Sequence, residues 1–238
     1  MATQAPYPPA SARFDSQRDK LAAYFDGTAR KAWIDLTSDA KVSGIRATVR
    51  AGREEMRGAL LSMLPQDLRR KKVLDAGCGT GALAVEAAFR GAEITAVDIA
   101  SGLVDIARER APQFLGHGKI DWRSGDFLDP ALGEFDHVVL MDSLIHYSLD
   151  DMVAALAALT ESCSGSIVFT FAPHTRMLGA MHKVGQFFPR SDRSPAIVPI
   201  AEDQLRAALS QIEGWEARRA HRVTSGFYMS HAMELVRI

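Results

Sequence analysis

The chain has 238 residues, enough for one large domain or two small ones with a sizeable core. Its 28 Lys and Arg balance 29 Asp and Glu, which argues against a general nucleic-acid binder and leaves only local basic patches to weigh. The two cysteines, Cys78 and Cys163, form neither a disulfide framework nor a metal-ligand pair, so a reduced, cytoplasmic setting is expected. No apolar run approaches the roughly 20 residues that cross a bilayer.

Met1 to Ala12 carries three prolines and lacks the charged-then-apolar order of a secretory leader; we take residues 1–15 as a disordered tail. Asp19 to Leu36 has a helical period, through Leu21, Tyr24, Phe25, Ala32, Trp33 and Leu36, broken around Gly27. Val42 to Leu64 is a second helix with Ile45, Val49, Met56, Leu60 and Met63 on one face, closed by Pro65. Residues 16–68 therefore form a helical region, read as a lid on the domain that follows.

From Lys72 onward strands and helices alternate, and residues 69–238 form the main domain. Strands are predicted at Val73–Ala76, Glu93–Ile99, Ile120–Ser124, Phe135–Met141 and Ser166–Phe171. Helices are predicted at Ala82–Arg90, Gly102–Arg110 and Asp151–Thr160. Such alternation calls for a mostly parallel sheet covered on both faces, with the ligand along the strand ends. The pattern then breaks. Pro173 to Pro189 reads as an amphipathic helix within an insertion at about 174–199, a helix Glu202–Ile212 follows, and strands Glu216–Thr224 and Phe227–Val236 make a hairpin across Ser225-Gly226. The expected class is α/β, Rossmann-like: a seven-stranded, mostly parallel sheet with a C-terminal antiparallel hairpin and an N-terminal helical lid.

The most informative run is Val73-Leu74-Asp75-Ala76-Gly77-Cys78-Gly79-Thr80-Gly81. An apolar strand ends in an acid, and alternating glycines lead into a helix. Such a turn brings backbone against a ligand, with the helix's free N–H groups aimed at it. The spacing is G-x-G-x-G rather than the G-x-G-x-x-G of a dinucleotide site. With Asp75 ahead of it, the run resembles the glycine motif of class I S-adenosylmethionine (SAM) methyltransferases. That resemblance implies that Gly77, Gly79 and Gly81 face the methionine and ribose parts of SAM. Asp98, with Ile99 beside it, ends the second strand, where its oxygens can accept the ribose hydroxyls; its competing use is as a helix cap. After the third strand, Asp126 can accept the adenine amino group while Phe127 packs on the ring; a plain turn with a buried Phe is an equal alternative. Asp142 follows the fourth strand, beside the expected position of the transferable methyl, or is another turn acid.

A closer likeness covers nearly the whole chain. Tyr24-Phe25-Asp26 ahead of Trp33, the glycine run, Asp142-Ser143-Leu144-Ile145-His146-Tyr147, Phe169-Thr170-Phe171-Ala172-Pro173 and Gly226-Phe227-Tyr228 together resemble the magnesium-protoporphyrin O-methyltransferase family. The resemblance implies methyl transfer from SAM to one propionate of magnesium-protoporphyrin IX in bacteriochlorophyll or chlorophyll synthesis, giving the monomethyl ester. Magnesium enters only as part of that substrate, with no metal site on the chain. The resemblance also implies a partner, the large porphyrin-carrying subunit of magnesium chelatase.

A propionate is ionised in water near pH 7, so its methylation needs no general base. His146 is then expected to orient the carboxylate or to ligate the porphyrin magnesium, or simply to bond a loop carbonyl. Tyr24 is expected to hold the acceptor carboxylate or the SAM methionine; a buried aromatic is nearly as good a reading. His174 to Arg193 is locally basic, with Arg176 and Lys183 as candidate substrate contacts and a Met- and Phe-rich opposite face. Contact with a membrane surface suits that segment too, and an ordinary packed helix explains it as simply. Arg46, Arg50, Arg53 and Arg57 share one helix face, either solvated or binding propionates or an acidic partner. A quinone-type O-methyltransferase, a SAM- or porphyrin-binding carrier and a nicotinamide dehydrogenase are the competing functions.

Overall fold

The computed structural model describes residues 12–27, 29–37, 43–174 and 195–238. Helices α1 (Ala12–Asp26), α2 (Arg30–Leu36) and α3 (Gly44–Met63) come first. Then follow β1 (Lys72–Ala76), α4 (Ala82–Phe89), β2 (Glu93–Asp98), α5 (Ser101–Arg110), β3 (Lys119–Ser124), β4 (Phe135–Leu140), α6 (Leu149–Ser162) and β5 (Cys163–Phe171). The chain closes with α7 (Glu202–Leu209), β6 (Trp215–Ser225) and β7 (Tyr228–Arg237).

The seven strands lie in the order β3-β2-β1-β4-β5-β7-β6. The first five are parallel, and β7 is antiparallel to both β5 and β6. Chain order reverses between β1 and β4, the position at which a parallel sheet opens a ligand crevice at its strand ends. Period-two alternation divides the core. Leu74, Val138, Leu140 and Phe169 join α6 and α7 on one face, and Val73, Ile94, Val139 and Val168 join α3 and α4 on the other.

Some element boundaries depart from the sequence reading. The tail expected to run to residue 15 is cut short, since α1 starts at Ala12. Phe14 is buried and stacked on Tyr147 with ring centroids 4.4 Å apart, and Arg13 pairs with Asp151 at 2.9 Å. These contacts are long-range and leave no periodic mark in a Pro-rich start. Helix α3 has the expected core residues Met56, Leu60 and Met63, but Ile45, in its first turn, is 56% exposed. The hairpin turns on Gly226 and Phe227, one residue later than expected, with Gly226 in the left-handed region at φ 56°. The amphipathic helix expected at Pro173–Pro189, with Arg176 and Lys183, lies almost wholly outside the described residues.

Candidate active site

The β1–α4 connection is the floor of the site. Gly77, Gly79 and Gly81 all have positive φ, at 82°, 53° and 82°. At Gly77 a Cβ would collide with Ser143, so glycine is required there on two counts, conformation and space. Gly81 differs. A Cβ there would collide with the Trp122 ring, so it lets α4 pack against β3. Gly77 and Gly79 line a cavity of about 590 Å³, and Gly81 does not. What the structure gives Gly81 is a packing contact with Trp122, while its neighbours Thr80 and Ala82 line the cavity.

Two carboxylates stand on this floor. Asp75 at the end of β1 is 1% exposed, and its Oδ2 has no hydrogen-bond partner among the described residues. Burial first, and the nearby charge of Asp98 second, raise its pKa to about 7. Asp98, at the end of β2, accepts Gly79 N–H and Ala100 N–H, both at 2.8 Å, and these bonds fix its orientation. Its enclosure by the surrounding chain raises its pKa as well, against the pull of those two amides. Asp98 and Ile99 both line the cavity. The helix-capping task that competed for Asp98 is performed largely by Asp26 of α1, which accepts Gly102 N–H at 2.9 Å and Ser101 N–H at 3.2 Å.

Two other sequence expectations fall on occupied groups. Asp126 was expected to take the adenine amino group. It instead pairs with Arg18 of α1 at 2.6 Å and accepts Leu128 N–H at 2.9 Å, and it is not part of the cavity wall. The crossing of α1 over the strand ends delivers that arginine, which no local pattern announces. Phe127 does line the cavity. Asp142 lies on the wall too, in the left-handed region at φ 56°, but its carboxylate is engaged by Arg53 of α3 and accepts Tyr228 O–H at 3.1 Å. Thr170 and Ser230 hydroxyls approach the same oxygen, at 3.2 and 3.4 Å.

The roof comes from the helical region. Trp33 of α2 approaches Gly79, stacks edge-on to Phe25 at 5.5 Å and carries the Arg53 guanidinium 4.6 Å from its ring centroid. Tyr24 lines the cavity and meets Phe25 edge-on at 5.2 Å. His146 is buried at the far wall, its ring 6.4 Å from that of Phe25. Its Nδ1 lies 3.1 Å from the Ala196 carbonyl oxygen. A carbonyl only accepts, so Nδ1 carries the proton and Nε2 presents a lone pair when the ring is neutral. Burial lowers the His146 pKa, which keeps the ring neutral near pH 7.

Comparison with known proteins gives this arrangement a family. A family model for the magnesium-protoporphyrin IX methyltransferase C-terminus matches residues 140–237, and a general methyltransferase-domain model matches 73–164. The magnesium-protoporphyrin O-methyltransferase of Rhodobacter capsulatus is 48% identical over 218 residues, covering 91% of this chain and 95% of that protein. The chain belongs to the magnesium-protoporphyrin O-methyltransferase family. A chloroplastic member from Arabidopsis thaliana is 29% identical over 92% of this chain and 71% of its own length. The crystal structure of the Synechocystis magnesium protoporphyrin IX methyltransferase with bound SAH superposes with a TM-score of 0.79 at 26% identity, covering 92% of this chain and 99% of that one.

The cavity wall also contains residues the sequence reading left out of the site. Trp33, Arg53 and Tyr228 line the cavity. Trp33 and Tyr228 stood inside the segments that carried the family likeness, whereas nothing distinguished Arg53 from its three neighbouring arginines until α3 was placed against β4.

Proposed function

We propose that this protein transfers the methyl group of SAM to one propionate of magnesium-protoporphyrin IX, giving the monomethyl ester and S-adenosylhomocysteine. The observation that carries the reading is the enclosed, unpartnered Oδ2 of Asp75 beside Asp98, on a glycine-lined floor at the sheet's reversal point. An ammonium group supplies what Asp75 lacks, and a diol supplies hydroxyl donors for the free lone pairs of Asp98. The residues present therefore fit SAM, with its α-amino group and its ribose. Bound there, SAM supplies an electrophilic methyl on a sulfonium sulfur.

The chain's own part is binding and positioning. Asp75 and Asp98 hold the two ends of the donor, while Phe127 and Ile99 form an apolar wall. Tyr24, Phe25 and Trp33 close the roof and keep water from the reaction, and such positioning lowers a barrier by roughly 7–11 kcal/mol at best. The acceptor carboxyl meets desolvation by the aromatic roof, which raises its pKa, and the wall arginines, which lower it; where it enters un-ionised it brings a proton. The Nε2 lone pair of His146 takes that proton, and the imidazolium so formed keeps its Nδ1–H bond to Ala196. Of the three expectations for His146, the bond to a loop carbonyl is present, at Ala196, and Nε2 is the nitrogen left for the acceptor.

The hand-over partner implied by the resemblance, the porphyrin-carrying subunit of magnesium chelatase, and peripheral membrane contact belong to this same proposal. Exposed Phe227 and Ile197 at the cavity mouth support an apolar hand-over surface. None of the helices among the described residues is long and apolar enough to cross a membrane. The deciding experiment is incubation with SAM and magnesium-protoporphyrin IX, then mass analysis. A porphyrin heavier by one methylene, as a base-labile ester, supports the proposal; an unaltered porphyrin overturns it.

A further inference from the structure

Four arginines of α3, Arg46, Arg50, Arg53 and Arg57, all reach the cavity wall, and three have other work. Arg50 donates to the Leu36 and Asp35 carbonyls at 2.9 and 2.8 Å, at the end of α2. Arg53 is paired with Asp142, and Arg57 with Glu86 and Glu54. The Arg46 side chain is exposed and makes no hydrogen bond or ion pair with a described residue.

Its position is unfavourable for the helix. Arg46 sits in the first turn, behind the Ser43 cap, and that turn contains no acid. A cation there opposes the helix dipole, whereas an anion held by it gains from both charge and dipole. The surroundings are apolar. Phe227 is 51% exposed and Ile197 37% exposed, and both line the cavity mouth. Thr48 of α3 packs against Gly226, which sets the Phe227 turn beside the first turns of α3.

Size decides how the acceptor lies. A cavity of about 590 Å³ lies in the range that encloses one drug-sized ligand, roughly 300–1,000 Å³. Methyl donor and tetrapyrrole together are two such ligands, so part of the macrocycle must project from the mouth. One propionate goes inward to be methylated. The other stays a carboxylate at the mouth, where an unpaired cation within reach of it adds affinity.

We propose that Arg46 binds the carboxylate arm of the acceptor that is not methylated, with the macrocycle lying across Phe227 and Ile197. This rests on the methyl-transfer reading above and adds the residue that makes the site one for a dicarboxylate. Arginine suits the task, since its planar fork bonds a carboxylate through two N–H groups.

The test compares two ligands that differ only at that arm. The product monoester retains the unmethylated carboxylate, and magnesium-protoporphyrin dimethyl ester has none. Binding is read by porphyrin fluorescence in the presence of S-adenosylhomocysteine. Wild type is expected to prefer the monoester by about tenfold, as for a charge-assisted hydrogen bond. Arg46→Gln should bind both esters alike, and Arg46→Lys should recover part of the preference. An unchanged unfolding temperature for Arg46→Gln shows that the fold is intact, as expected for an exposed side chain without a partner. If Arg46→Gln keeps the full preference, or wild type has none, the proposal is wrong. Turnover of wild type is measured beside it, so a failure of methyl transfer is told apart from a failure of the Arg46 assignment.

Discussion

Arg53 on α3 and Asp142 at the end of β4 form an ion pair that ties the helical region to the sheet at the cavity wall. Their side chains are 18% and 7% exposed, so the pair is screened little by water. Asp142 also accepts the Tyr228 hydroxyl, and burial together with that carboxylate's charge pushes the Tyr228 pKa far upward. Removing one partner leaves a buried charge alone, which costs about 3–5 kcal/mol. Asp142→Ala is expected to lose that much in urea unfolding, with added strain because Asp142 sits at φ 56°, a region where Asp and Asn are tolerated far better than Ala. The double variant Arg53→Met/Asp142→Asn should lose less than the sum of its single changes, by about 1–3 kcal/mol. Additive losses would show that the two residues are energetically independent.

Asp75 predicts an unusual pH dependence. Its folded-state pKa, raised from 3.8 to about 7, means that the folded chain favours the protonated acid. The stability this group contributes is complete below about pH 4 and is lost as pH rises through about 7. The Asp98 shift has the same direction. Half-buried His137 and buried His146 and His231 have lowered pKa values and act oppositely, losing stability on acidification. The difference between wild type and Asp75→Asn isolates the acid. Between about pH 4 and 7 the ligand-free wild type should lose stability relative to the variant. Affinity for S-adenosylhomocysteine should rise over the same interval, since the ionised acid is the form that holds an ammonium. Calorimetry and thermal unfolding check both, and an equal pH slope in Asp75→Asn would rule the assignment out.

Helices α1 and α2 form the roof and are anchored on the sheet domain mainly by side chains: Phe14 on Tyr147, Arg13 on Asp151, Arg18 on Asp126, Asp26 on the start of α5 and Arg110 on the end of α2. Donor binding beneath Trp33 is expected to tighten this region and exclude water. Amide hydrogen exchange over residues 12–37 should slow on adding S-adenosylhomocysteine, while the central strands β1 and β4 change little. Equal protection of α2 with and without ligand would remove the closing motion.

The parallel sheet was legible because its signals are local: short apolar runs ending in Asp75, Asp98 and Asp142, glycines at the turns, and helical periods between. The C-terminal hairpin was legible for the same reason, to within a residue at Gly226. What escaped were relationships made only by packing. Asp126 looks like an adenine acceptor until α1 brings Arg18 to it, and Gly81 looks like its two neighbouring glycines until Trp122 is placed against it. Four arginines in one helical row are indistinguishable in sequence; partners at Asp142, Glu86 and the end of α2 separate three of them from Arg46. The His146 tautomer depends on a carbonyl fifty positions away, at Ala196.

That tautomer makes the final prediction. The neutral His146 ring holds its proton on Nδ1 and leaves Nε2 with a lone pair, so on the proposed reading its contribution is to take the proton of an acceptor carboxyl that enters un-ionised. Losing a positioned proton acceptor costs roughly 10²–10⁴-fold in rate. His146→Asn should therefore be slowed by that order at pH 7 in single-turnover methyl transfer, with donor affinity little altered. As pH rises, the acceptor loses its proton to solvent, and the variant should regain much of the lost rate while wild type stays level. The product must remain a methyl ester throughout, since a carboxyl and not a phenol is being ionised. An Asn variant that is slow at every pH by the same factor would show that His146 acts without taking a proton, and the carboxylate would then be the form that enters the site.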